Sequence, residues 1–60
     1  MRAEYLCVVI DRSTNKELAD YVVEANQVYY ARHSARKQFV EDYPGVAAEL
    51  DYYVDSMILE

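Results

Sequence analysis

The sequence predicts a single α+β domain of order ββαβ: a three-stranded antiparallel sheet, order 2-1-3, with one helix packed on one face. Three observations predict it. Residues 3–11 and 17–25 are two β-type runs separated by a polar cluster. Residues 27–42 repeat apolar positions at helical spacing and are followed by Pro44-Gly45. Residues 46–60 hold another alternating run, which can pair with the free edge of the first strand.

The first run, residues 3–11, is rich in β-branched and aromatic types. Leu6, Val8 and Ile10 share one face, and Tyr5, Cys7 and Val9 share the other. A strand apolar on both faces belongs at the centre of its sheet. Asp11-Arg-Ser-Thr-Asn-Lys16 then reads as a turn, because its side chains hydrogen-bond locally and Asn tolerates left-handed backbone. In residues 17–25, Ala19, Tyr21 and Val23 alternate with Leu18, Asp20, Val22 and Glu24. The two runs form an antiparallel hairpin.

Asn26 suits a helix N-cap, since its side chain can accept from amides two or three residues on. The helix is expected from about Gln27 to Asp42, with Val28, Ala31, Ala35, Phe39 and either Asp42 or Tyr43 on its inner side. Pro44-Gly45 is expected to stop it.

Residues 46–60 fit two periods. As a strand, Leu50, Tyr52, Val54 and Ile58 face in, and Glu49, Asp51, Tyr53, Asp55 and Met57 face out. As a helix, Val46, Leu50, Tyr53, Val54, Met57 and Ile58 gather on one side, giving ββαα as the alternative. A strand from about Asp51, after a short turn or helical start, is preferred for topology. The central strand then gains neighbours on both edges.

A chain of 60 residues forms one domain, spanning 1–60, and buries a modest core. Cys7 is the only cysteine and His33 the only histidine, so no internal disulfide and no zinc site of the usual four ligands can form. Cys7 lies in an apolar run and reads as a small buried hydrophobe. No cofactor is expected. Gly45 is the only glycine, which excludes a glycine-rich phosphate loop. His33 reads as a solvated surface residue, and no serine has an adjacent base, so the chain reads as non-enzymatic. No apolar run reaches the roughly 20 residues of a membrane span. Residues 1–10 carry Glu4 and lack a signal cleavage pattern, so the expected location is inside a cell, in the cytoplasm.

Charge carries the functional expectation. The chain has net charge −5, which opposes nucleic acid as a direct partner and favours a basic protein surface. All six Lys and Arg lie in residues 1–40. Residues 41–60 hold Glu41, Asp42, Glu49, Asp51, Asp55 and Glu60 and no cation. In the strand reading Glu49 and Asp51 share a face about 7 Å apart, with Asp55 about 13 Å further on. Asp51 and Asp55 are expected to be exposed under either reading. Glu41, Asp42, Glu49, Asp51 and Asp55, with Tyr53 as an aromatic anchor, are therefore the candidate partner-binding residues. Two further surfaces follow from the pattern. Arg32, Arg36 and Lys37, with Tyr29 and Tyr30 nearby, are read as a solvated basic helix face paired locally with Glu41 or the hairpin acids. The uncovered sheet face, showing Tyr5, Cys7, Val9, Leu18 and Val22 or their alternates, could support a homodimer.

In size, acidity and ββαβ patterning the whole chain resembles small acidic phage-encoded inhibitor proteins of the anti-CRISPR type. That resemblance implies a nucleic-acid mimic that occupies a basic nucleic-acid-binding groove of a partner protein or complex. It would place the docking role on Glu41, Asp42, Glu49, Asp51 and Asp55. The basic helix face departs from all-round mimicry and implies a one-sided version.

Overall fold

A computed structural model describes residues 1–59; Glu60, one of the final-third carboxylates, lies outside the described residues. Strand β1 spans Ala3–Asp11, β2 Glu17–Ala25 and β3 Tyr52–Leu59, with helices α1 at Val28–Asp42 and α2 at Pro44–Glu49. The sheet order is β2-β1-β3 and both pairings are antiparallel. The doubly apolar strand is central, as its composition predicts, and residues 52–59 form a strand rather than a helix.

The core lies between the sheet and α1. Tyr5, Cys7 and Val9 of β1, Ala25 of β2 and Val54 of β3 meet Ala31, Ala35 and Phe39 of α1. Ala31 and Ala35 are fully buried, and their small side chains let the helix axis approach the strands. Phe39 fills the space beyond them, with its ring 5.0 Å from that of Tyr52 in an edge-on arrangement. Val28 and Tyr43, expected on the inner side, are partly exposed instead and flank the contact.

The faces sort as follows. The helix covers Tyr5, Cys7 and Val9, so the open side shows the alternate set, Leu6, Val8 and Ile10, together with Val22. Leu18 departs from its expected side. Val9 pairs with Ala19 but Ile10 pairs with Glu17, so Leu18 is the extra residue of a bulge. The slip lets Leu18 pack against the core beside Ala19.

The hairpin turn is closed by Asn15 N–H donating to the Asp11 carbonyl at 2.7 Å and Asp11 N–H donating to the Lys16 carbonyl at 2.8 Å. Asn15 takes φ 63°, the left-handed conformation that Asn tolerates better than most residues.

The helix ends at Asp42 as expected, while its N-cap and the role of Gly45 differ from expectation. The N-cap position is Gln27 rather than Asn26, and no side chain caps it. At the other end Gly45 has no positive φ and lies inside α2, so it is not a terminating glycine. The break comes from Pro44. A proline disfavours helical backbone in the residue before it, and Tyr43 is displaced to φ −135°, ψ 64°. Pro44 then sits at the start of α2, where its missing N–H costs nothing.

Candidate functional site

The open sheet face is built from alternate residues of three strands, and the register places them in rows. Leu6 lies between Val22 and Met57, and Val8 between Asp20 and Asp55. Ile10 lies between Glu17 and Tyr53, and Glu4 between Glu24 and Leu59. Val22 and Met57 are 61% and 60% exposed, so this is accessible apolar surface rather than core. Strand spacing puts the Asp20 and Asp55 backbones about 10 Å apart, on either side of Val8.

The cations of this face sit at its two ends. Arg2 pairs with Glu24 at 3.3 Å. Arg12 pairs with Asp51 at 3.4 Å and stands over the Tyr53 ring, 5.0 Å from its centre. Among the described residues these are the two ion pairs, and neither includes Asp20 or Asp55. Among the described residues the Asp55 carboxylate accepts only its neighbour's amide, Ser56 N–H, at 3.0 Å.

The six residues singled out from the sequence do not form one row. Tyr53 and Asp55 stand on the open sheet face. Asp51 precedes β3 and is exposed, but Arg12 shares its charge. Glu49 belongs to α2, so the row of Glu49 and Asp51 expected on one strand does not exist. Glu41 is exposed in the last turn of α1. Asp42, beside it, accepts from the Tyr21 hydroxyl at 2.9 Å and from Gln38 at 3.2 Å. Asp20, which the sequence reading left out, joins Asp55 instead. Its alternation with Tyr21 gave its face, but only pairing through β1 could bring it level with Asp55.

No known family, characterised relative or solved structure matches this chain. The site therefore has to be read from its own chemistry.

Three titrating groups have shifted affinities for protons. Burial pushes the Cys7 thiol up, with Arg32 pulling weakly the other way. A thiol held protonated inside a core is a poor nucleophile. The Ser13 hydroxyl and amide donate to Asp11 at 2.8 and 2.9 Å and hold its carboxyl below the usual range. Desolvation, and then the bond to Asp42, push the Tyr21 hydroxyl up to about 12. Among the described residues no helix is long and apolar enough to cross a membrane.

Proposed function

We propose that this protein is a non-enzymatic binding protein that docks its open sheet face onto a basic, nucleic-acid-binding surface of a partner protein. Bound there, it excludes the natural polyanion, as a small phage-encoded inhibitor of the anti-CRISPR type would. The observation that carries this reading is the central row Asp20–Val8–Asp55, two carboxylates without an ion-pair partner bracketing accessible apolar surface. The carboxylates would speed and orient the encounter, and Leu6, Val22, Met57 and Tyr53 would set the lifetime of the complex. Asp51 and Tyr53 extend the surface towards the hairpin end. Glu41, Asp42 and Glu49 belong to the helical elements and contribute only to the overall negative field.

A homodimer through the same face is disfavoured by charge. Two copies stacked face to face would bring Asp20 and Asp55 of each against a second negative surface.

The test starts from proteins captured from host lysate, each then purified and assayed for nucleic-acid binding. The reading expects this chain to displace nucleic acid from one of them, with affinity falling as salt rises from about 50 to 500 mM. It expects Asp20→Lys/Asp55→Lys to abolish displacement while the circular dichroism spectrum is kept. Displacement unchanged by the double substitution, or a tight dimer seen by light scattering that both substitutions leave intact, would overturn it.

A further inference from the structure

On the other side of the molecule, Tyr29, Arg32, His33 and Arg36 line an open cavity of about 280 Å³. They occupy positions i, i+3, i+4 and i+7 of α1 and so form one continuous helix face. We infer that this cavity is a binding site for a nucleotide unit, a phosphate adjoining a planar base, and that it is independent of the sheet-face surface.

The first reason is unspent positive charge. The chain carries eleven Asp and Glu side chains, and the sequence pattern predicts local pairing of this helix face with Glu41 or the hairpin acids. Among the described residues no carboxylate comes within 4.0 Å of Arg32, His33 or Arg36. Arg36 lies 6.0 Å from the Tyr52 ring centre, a contact that leaves its N–H donors free. Two guanidiniums one helical turn apart suit the oxygens of a phosphate.

The second is the order of charges along α1. Cations fall in its middle and acids, Glu41 and Asp42, at its C-terminal end, while the first turn holds no acid and the N-cap no side-chain bond. This is the reverse of what the helix dipole favours. The N-terminal half of α1 thus combines Arg32 with backbone N–H groups that no side chain caps, and among the described residues no carboxylate pairs with that arginine. Local rules broken in this way are the mark of a site selected for something other than stability.

The third is the aromatic wall. Tyr29 is 68% exposed, and its ring meets that of Tyr30 edge-on at 5.4 Å. An exposed tyrosine beside two arginines is the combination that stacks a base while holding its phosphate. At about 280 Å³ the cavity falls just below the roughly 300–1,000 Å³ typical of ligand pockets, so its occupant is a small unit that projects into solvent through the open side. The net negative charge does not cancel the site. The acids of the sheet face lie across the thickness of the domain, and the screening length at physiological salt is about 8 Å.

The test is an amide chemical-shift titration of the full chain with adenosine monophosphate, adenosine, inorganic phosphate and a short single-stranded oligonucleotide. Adenosine monophosphate is expected to move the Tyr29–Arg36 amides, with phosphate and adenosine each weaker. Arg32→Ala/Arg36→Ala is expected to weaken binding about ten-fold or more, and Lys16→Ala, in the hairpin turn, to leave it unchanged. If the oligonucleotide binds more tightly than the mononucleotide, the natural source is a single strand; if not, it is a free nucleotide. Either result supports the site. No shift with any of the four, or shifts that persist undiminished in the folded double variant, would overturn it.

Discussion

The Arg12 guanidinium donates to the Asp51 carboxylate at 3.4 Å, joining the hairpin turn to the residue that precedes β3. The same connection is reinforced by the backbone, where Arg12 N–H donates to the Asp51 carbonyl at 2.9 Å. The pair divides the acidic C-terminal third into a carboxylate already answered by the chain and others that are not. Arg12→Ala removes the side-chain half of this link. Both side chains are well exposed, so the expected loss of stability is below about 1 kcal/mol, measured by urea unfolding. Because Asp51 is then unpaired, association with the proposed basic partner should become faster and more salt-sensitive. A slower association would show that Arg12 itself touches the partner.

Phe39 is the largest of the fully buried side chains. Phe39→Ala removes its contacts with Tyr52 and the strands and leaves a cavity, at a cost of about 3–5 kcal/mol. A domain of this size has a total stability of the same order, so the variant should be unfolded by circular dichroism at room temperature. Phe39→Leu should remain folded with a lowered urea midpoint.

Gly45 lies in α2 with nothing within 4 Å of where a Cβ would stand, and its backbone is not left-handed. Gly45→Ala should therefore stabilise the domain by about 0.4–1 kcal/mol, mostly by restricting the unfolded chain. A fall in the thermal midpoint would show that α2 needs the freedom of glycine.

Tyr21 contributes to alkaline stability. Its hydroxyl is pushed up to about 12 in the folded state, against about 10 in an unfolded chain. The folded state therefore favours the protonated phenol. Its contribution is fully present below pH about 10 and is lost as pH rises towards 12. Tyr21→Phe should flatten this part of the stability profile. It should also cost up to about 1 kcal/mol at neutral pH through loss of the exposed bond to Asp42.

Asp11 acts at the other end of the scale. Its folded-state affinity for protons is lowered by Ser13, so its contribution is present above the unfolded value of about 3.9 and disappears as pH falls through the folded one. Asp11→Asn should lower the thermal midpoint at pH 7, and the gap from the parent protein should close in acid. A gap that persists there would assign the effect to the shape of the turn rather than to charge.

The sequence by itself determined what depends on neighbours along the chain. The doubly apolar run at residues 3–11 marked the central strand, and the spacing of Ala31, Ala35 and Phe39 marked the buried side of α1. The Asp11–Lys16 cluster marked the turn. Each rests on a side-chain period or on local hydrogen bonding, which a linear pattern records. The exposure of Asp51 and Asp55 was legible for the same reason, since both periods placed them outward.

Only the tertiary structure decided which side of β1 the helix covers, because both sides are apolar and alternation cannot rank them. It also decided which carboxylates stand together. Asp20 and Asp55 are far apart in sequence and meet across Val8 through two separate strand pairings, a relation set by register. Glu49 left the expected row because Pro44 started a second helix, and among the described residues the cations of α1 have no carboxylate within 4.0 Å. Period is a property of the chain, whereas register and the choice of face arise only when elements pack, and the sheet-face surface is made by packing.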